Sequence, residues 1–304
     1  MKQLLKNISP FNAREDMPTI LFIIKKILAF LLCYIVGSLV AEGAVILLHF
    51  AVGKNVFAGE MFDFGTITLI KYYGFIIMAG VGLLYWKLIV KKPLRKIGIT
   101  KELGSYFIGV IMSIVLLFLS CVAIIAVGGF EYRGICKNVD ILAVILFTGG
   151  FVVQGATEEI LCRGLVLHAL KEKVPVGVAI AVSAILFALP HLSSLFAGEI
   201  AYGAIGILNL LLISVIFSIL TLFFGNIWAA CGLHSFWNAI LYCVLGLNLS
   251  GNDDKVTAFF SIRSTGNTIL NGGEYGVEAS MITAAVLLVA AVGLAVFCDH
   301  RKRR

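Results

Sequence analysis

The sequence predicts an all-α membrane protein, a polytopic bundle of about eight transmembrane helices whose N- and C-termini are cytoplasmic. Composition is the first reason: 60% of the residues are hydrophobic, 13% are charged, and the mean hydropathy is +1.03. Soluble globular domains carry about 25% charged residues, so this composition excludes that class. Backbone groups in lipid must find hydrogen bonds within the protein, which favours helices.

The apolar runs predict the helices in order. A span of the hydrocarbon core needs about 20 residues. Runs near that length lie at 27–48, 67–90, 106–127, 141–168, 175–192, 203–223, 227–247 and 281–298. Only Phe224–Asn226 separates the sixth run from the seventh, so these residues must form a tight turn if both runs cross the membrane.

Basic residues predict the orientation, because Lys and Arg concentrate in cytoplasmic loops. With a cytoplasmic N-terminus, 17 of the 24 lie in cytoplasmic segments: Lys2, Lys6, Arg14, Lys25, Lys26, Lys87, Lys91, Lys92, Arg95, Lys96, Lys101, Lys171, Lys173, Arg301, Lys302, Arg303 and Arg304. Arg163 lies within a span, and the outer segments hold six: Lys54, Lys71, Arg133, Lys137, Lys255 and Arg263. This bias supports an even number of spans with both termini cytoplasmic.

The net charge of +7 predicts contact with anionic membrane lipids. Nucleic acid is the competing partner of a basic chain, but here the basic residues are scattered beside membrane spans and no soluble domain carries them. We therefore expect membrane lipids and no nucleic acid as partners. The first apolar run is longer than a signal-peptide core, so we interpret it as an uncleaved anchor. The expected location is the cell membrane, as a multi-pass integral protein.

The chain divides into three parts of one integrated membrane domain. Residues 1–139 hold the N-terminal helices and a basic cytoplasmic loop, and residues 140–247 hold the segments that carry intramembrane polar groups. Residues 248–304 hold an outer polar loop and the last helix. The outer loop, Asn248–Glu278, is predicted to form a short hairpin or an irregular cap over the helices.

Glu158, Glu159 and Arg163 are three charges inside the fourth apolar run. Each charge at a helix centre costs about 2.5–3.5 kcal/mol on insertion scales, so the group needs a functional or structural reason. Glu159 and Arg163 are four residues apart with the acid first, the favourable order for an ion pair. Glu158 points about 100° away around the helix, which leaves it available as a general acid or base. The alternative is a buried ion pair that only holds helices together.

Two further polar insertions follow in later apolar runs. The first is His191, at the end of Phe187–His191, and the second is His234–Asn238. His234 and Asn238 share a helix face and could donate hydrogen bonds to an oxyanion. Alternatively, Glu158, His191 and His234 could bind Zn²⁺, since two histidines and one carboxylate leave an open position for water. Each histidine could also be a satisfied core residue.

These residues together resemble the signature of the CAAX prenyl protease 2-like (CPBP) family of intramembrane metalloproteases. The matching positions are Glu158, Glu159 and Arg163, then Phe187 and His191, then His234 and Asn238. The family includes relatives connected with bacteriocin immunity. The resemblance covers roughly residues 140–245.

The resemblance implies a role for each position. Glu158 with His191 would activate the attacking water, directly or through a bound metal, and His234 with Asn238 would stabilise the oxyanion. Glu159, held by Arg163, would orient the site. Both a zinc-dependent and a metal-free glutamate mechanism fit the sequence. The depths of the residues are a difficulty, because straight helices that begin with their apolar runs would place His191 farther from the cytoplasmic face than Glu158 and His234.

Three functions compete. The leading hypothesis is an intramembrane endopeptidase that cleaves a hydrophobic or lipid-modified peptide near the cytoplasmic side of the bilayer. Such a substrate could be a prenylated protein or a signalling or bacteriocin-type peptide. The second is a non-catalytic immunity or regulatory protein of the same fold. The third is an ion-coupled transporter, which would predict inverted repeats that the sequence does not show. The sequence does not predict an oligomeric state.

Overall fold

The computed structural model of the 304-residue chain describes residues 8–195, 199–249, 257–266 and 268–302. Predictions that fall on residues 1–7, 196–198, 250–256, 267, 303 and 304 lie outside this description. The long helices are α1 (Thr19–Ala51), α2 (Phe64–Tyr85), α3 (Gly104–Ala126), α4 (Ile141–Glu159), α5 (Val176–Ala188), α6 (Ile200–Phe224), α7 (Trp228–Ala239) and α8 (Met281–Lys302).

Several helices change their winding at the C-terminal end. α2, α4 and α7 continue as π-helices over Trp86–Val90, Ile160–His168 and Ile240–Val244. α5 continues through a 3₁₀ turn at Leu189–His191 and a one-turn helix at Leu192–Leu195. The α-helical winding of α5 ends at Ala188, just before Pro190, because proline cannot donate the backbone hydrogen bond that an α-helix needs there.

Seven of these helical segments are long and apolar enough to cross a membrane, which confirms a polytopic α-helical bundle and indicates a multi-pass membrane protein. The exception is α7, which is short and almost entirely buried. It packs against α3, α4 and α6. A helix enclosed by other helices need not match the bilayer thickness by itself.

Glycines allow α7 to approach its neighbours. A Cβ at Gly109 of α3 would lie 2.0 Å from the carbonyl oxygen of Ala229, and one at Gly232 would lie 2.1 Å from the carbonyl oxygen of Tyr106. A Cβ at Gly155 of α4 would lie 2.7 Å from Ser235 Oγ. Small residues let helix backbones come close in a membrane bundle.

Segments predicted on the same side of the membrane meet in the structure. At one end, Lys92 Nζ lies 2.7 Å from Glu15 Oε2 and 3.2 Å from Glu172 Oε2. At the other end, β1 (Phe130–Ile135) pairs antiparallel with β2 (Phe260–Ser264). Which end faces the cytoplasm stays a prediction.

The outer polar loop does not form a hairpin of its own in its described part. Its strand β2 pairs with β1, which lies between α3 and α4. Two 3₁₀ turns follow, at Gly273–Tyr275 and Val277–Ala279. The alternative prediction, an irregular cap over the helices, agrees better with the structure. Asn271 Nδ2 donates a hydrogen bond of 3.0 Å to the carbonyl oxygen of Gly129, which ties the loop to the end of α3. The partner strand could not be predicted because no local turn joins the two.

Candidate active site

Four of the sequence-predicted polar residues line one cavity of about 420 Å³ between the helices. α4 contributes Glu158, α7 contributes His234 and Asn238, and the 3₁₀ turn after α5 contributes His191. The apolar part of the wall includes Phe30, Tyr34, Leu186, Phe187, Ile213 and Phe217. The structure therefore brings together the three motifs, which are separated in the sequence.

The predicted conflict of depths does not keep the residues apart, because Glu158, His191 and His234 all line the same cavity. Ser183 Oγ of α5 donates 2.8 Å to the carbonyl oxygen of Cys162, so these two residues lie level. Between them the chain continues past His168 before it turns back at Pro175. α5 therefore begins about seven residues before the level of Cys162, on the side of the bundle where Pro175 lies.

Glu159 and Arg163 form a fully buried ion pair, as their spacing predicts. Arg163 Nη1 donates 3.2 Å to Glu159 Oε1, and Nε lies 3.1 Å from Oε2, close enough for charge attraction but poorly aligned for a hydrogen bond. Arg163 Nη2 donates to the carbonyl oxygen (3.1 Å) and the hydroxyl of Ser214 on α6. The guanidinium also lies over the rings of Phe187 and Phe217, at 4.7 and 4.9 Å from their centroids.

His234 lies between the two glutamates. Its Nδ1 is 3.0 Å from Glu159 Oε1, and its Nε2 is 3.8 Å from Glu158 Oε2. The ring stacks on Phe217 at a centroid distance of 5.2 Å. A carboxylate can only accept, so the proton between Glu159 and His234 is on Nδ1. The buried chain Arg163–Glu159–His234 thus fixes the ring and turns Nε2 toward Glu158.

Glu158 is held from its other side by a residue that the sequence analysis missed. Gln154 Nε2 donates 3.1 Å to Glu158 Oε1, and Asn238 Nδ2 donates 3.2 Å to Gln154 Oε1. Gln154 is four residues before Glu158 and shares its helix face, which is the signal that could have identified it. Its amide joins α7 to the Glu158 carboxylate and leaves Glu158 Oε2 as the oxygen nearer His234.

His191 lies at the edge of the group and is half-buried. Its Nδ1 is 3.0 Å from the carbonyl oxygen of Phe187, so Nδ1 donates and the Nε2 of the neutral ring has a free lone pair. Among the described residues, His191 makes no hydrogen bond or ion pair with Glu158. It shares the cavity with Glu158 and contacts the Phe187 ring at a centroid distance of 5.4 Å.

The π-helix directly after Glu159 shapes the wall of the site. All residues of Ile160–His168 are buried, and His168 Nδ1 lies 3.0 Å from the carbonyl oxygen of Arg163, within the π-helical segment. Wider turns of this kind occur often at functional sites. Cys162, in the same segment, lies four residues after Glu158 and also lines the cavity.

The predicted zinc ligands Glu158, His191 and His234 are not assembled as a metal site. In the described ranges, no three His, Cys, Asp or Glu side chains are grouped closely enough to hold a metal ion. Glu159 is unsuitable as a substitute, because both of its oxygens face Arg163 and one also faces His234. The side chains as placed therefore do not fit a three-ligand zinc centre.

Residues 140–240 match the family described as type II CAAX prenyl endopeptidase Rce1-like. The match contains every predicted site residue and confirms the resemblance inferred from the three motifs. It supports a CAAX-type intramembrane protease in general. The search of curated proteins found no match to this chain.

Proposed function

We propose that the protein is an intramembrane endopeptidase of the cell membrane, which hydrolyses a peptide bond in a lipid-modified or hydrophobic membrane-associated peptide. One observation carries the proposal: of two adjacent glutamates, the fully buried Glu159 is neutralised by Arg163, while the partly exposed Glu158 lines the cavity with an oxygen 3.8 Å from His234 Nε2. A purely structural ion pair has no need of the second carboxylate.

Glu158 is the proposed general base. Its carboxylate takes a proton from a water molecule as the water oxygen attacks the carbonyl carbon of the scissile peptide bond. The tetrahedral intermediate then collapses, the C–N bond breaks, and the proton on Glu158 passes to the leaving nitrogen. Proton transfer by a positioned side chain contributes about 10²–10⁴-fold to rate. Gln154 is a positioning residue, since it holds one carboxylate oxygen of Glu158.

The histidines and Asn238 take the remaining roles. His191 Nε2, with its free lone pair, accepts a hydrogen bond from the attacking water and orients it toward the carbonyl carbon. Asn238 has a second amide hydrogen beyond the one donated to Gln154, and this hydrogen can stabilise the oxyanion. His234, when protonated on both nitrogens, donates to the oxyanion from Nε2. Glu159 and Arg163 act through His234 as positioning residues.

The proposed mechanism uses no metal, because the described side chains do not group into a metal site. Zinc dependence is tested directly by metal analysis of the purified protein and by assay after chelation. We expect cleavage to survive chelation. A stoichiometric metal whose removal abolishes cleavage would overturn this part of the proposal.

The test of function compares the wild type with Glu158→Gln and His191→Ala. Wild type in neutral-lipid vesicles is incubated with a panel of prenylated, acylated and unmodified hydrophobic peptides, and products are identified by mass spectrometry. We expect Glu158→Gln to lower kcat at least about 100-fold. Thermal unfolding of each variant is the control, since Gln fills the same space as Glu and preserves the fold.

Cleavage that persists at the wild-type rate in both variants would reject the mechanism. A wild type that binds peptides of the panel without cleaving any would favour the non-catalytic immunity or regulatory alternative. Proton or cation flux across the vesicle membrane, with no cleavage, would favour the transporter alternative.

A further inference from the structure

Lys71 lies on α2, where two cavities adjoin. It lines the cavity of the candidate active site and also a smaller groove of about 190 Å³ between α1 and α2. Tyr34 and Phe75 line both in the same way. The lysine thus stands at the junction between the candidate site and the groove.

Lys71 is exposed, and carboxylates line both of its cavities: Glu42 the groove, and Glu158 and Glu278 the site cavity. Within the described ranges Lys71 forms no hydrogen bond and no ion pair, although these carboxylates line the same cavities. Lys71 is also the one lysine or arginine among the described residues that line the site cavity. Arg163 is close but fully buried, and its donors already face Glu159 and Ser214. An exposed lysine with no partner among the described residues is available to an anion that enters the cavity.

The position of Lys71 relative to Glu158 follows from one hydrogen bond. Thr157 Oγ1 donates 3.1 Å to the carbonyl oxygen of Phe75, so α2 and α4 are level at this point. Lys71 is four residues earlier on α2, about one helical turn of 5.4 Å. An extended peptide advances about 3.3–3.6 Å per residue. An anion bound by Lys71 would therefore lie within a few peptide residues of a bond held at Glu158.

We propose that Lys71 is a specificity-determining residue of the site and that its ammonium group binds the C-terminal carboxylate of the peptide substrate. This inference rests on the proposed function and deepens it. Charge-assisted hydrogen bonds are stronger than neutral ones, and more so where water is scarce. The carboxylate would then fix the position of the scissile bond. A lipid headgroup phosphate could satisfy the same ammonium group, so the experiment must separate the two sources.

The binding experiment uses the inactive Glu158→Gln protein as background, so that its outcome does not depend on turnover. The probe is an N-palmitoylated hydrophobic hexapeptide, prepared as the free acid and as the C-terminal carboxamide. We expect the acid to bind about tenfold or more tightly than the amide. Adding Lys71→Met should abolish this preference, and Lys71→Arg should retain most of it.

Two control variants isolate the effect. Lys54→Met removes the same charge from a lysine that lines neither cavity and should leave the acid preference intact. Glu42→Gln tests whether Lys71 merely pairs with its groove neighbour, and it should also preserve the preference. All variants are compared in vesicles of neutral lipid and in vesicles that contain anionic lipid.

An acid preference that survives Lys71→Met would overturn the proposal, as would equal binding of acid and amide by the background protein. A Lys71→Met effect that appears only with anionic vesicles, for both peptides alike, would overturn it in favour of a headgroup phosphate. If the peptides bind as expected but wild type with an intact Glu158 cleaves neither, the proposed function fails while the Lys71 assignment stands.

Discussion

The Arg163 side chain is completely buried and touches both Glu159 and the aromatic rings beneath it. Breaking a buried ion pair by removing one partner costs about 3–5 kcal/mol, because the remaining charge is left without compensation. We expect Arg163→Met to lose stability of this order, measured by thermal or denaturant unfolding in detergent micelles.

Arg133→Met is the matched control for that measurement. Arg133 pairs with Glu131 at 2.7 Å, but both side chains are about half exposed. Exposed pairs contribute little, so this variant should unfold close to the wild type. Equal losses in Arg163→Met and Arg133→Met would show that burial does not decide the strength of the pair.

At the scale of single residues, the sequence predicted that the two glutamates have different roles. Helix geometry assigned Arg163 to Glu159 and left Glu158 facing elsewhere, and the ion-pair distances confirm that assignment. The contact between Glu159 and His234 could not be derived, because these two residues are 75 positions apart in the sequence and lie on different helices. Gln154 was not predicted, because a single amide in an apolar run can have many structural roles that involve no function.

At the scale of helices, the contact between α3 and α7 depends on glycine. A methyl group at Gly109 would collide with the backbone of Ala229, which has no flexible end that could move aside. We expect Gly109→Ala to destabilise the protein by about 1–3 kcal/mol, the usual cost of overpacking. It should also lower peptidase activity, because α7 carries His234 and Asn238.

Gly80→Ala provides the control for Gly109→Ala. Gly80 lies within α2, and a Cβ there would meet nothing within 4 Å. Alanine is favoured over glycine inside helices by about 0.5–1 kcal/mol, so this variant should be neutral or slightly more stable. The measurements are thermal unfolding and peptide cleavage of both variants. A Gly109→Ala protein as stable as Gly80→Ala would contradict the close approach.

The helices themselves were largely predictable, and their finer features were not. Long apolar runs mark membrane spans strongly, so α4 begins at Ile141 as predicted. The π-helix at Ile160–His168 depends on tertiary contacts that no local pattern reveals. The pairing of β1 with β2 is equally hidden, since the two strands are distant in the sequence and short.

At the scale of the whole molecule, the N-terminal segment ties together the ends of several helices. Glu15 Oε1 lies 3.1 Å from Lys26 Nζ of α1, and its Oε2 lies 2.7 Å from Lys92 Nζ. Lys173, before α5, donates to the carbonyl oxygen of Glu15. Burial raises the pKa of Glu15, but hydrogen bonds and charges from Lys92 and Lys26 outweigh burial and hold its pKa below the ordinary value.

This lowered pKa gives a pH dependence with a definite sign. A carboxyl group whose pKa is lower in the folded state stabilises the fold above its unfolded pKa, and the stabilisation is lost as pH falls through the folded pKa. We expect Glu15→Gln to unfold at a lower temperature than wild type at neutral pH. The difference should begin to shrink as pH falls through the ordinary pKa of glutamate, about 4.3, and should disappear below the lowered pKa of the folded state.

Asp16→Asn is the control for Glu15→Gln. The described hydrogen bond of Asp16 uses its backbone oxygen, which accepts from Arg14 Nε, so the substitution should leave the pH profile of stability unchanged. A Glu15→Gln protein whose unfolding temperature stays below that of wild type by the same amount at every pH would contradict an electrostatic role for Glu15.

The burial of α7 has a consequence for synthesis of the chain. In the described part of the chain, the hydrogen-bond partners of His234 and Asn238 are Glu159 and Gln154, both on α4. After α4 has been inserted, the 75 residues from Glu159 to His234 must therefore be synthesised before these two side chains can meet. Under the proposed function, hydrolytic capacity therefore arises only after α7 has joined α4.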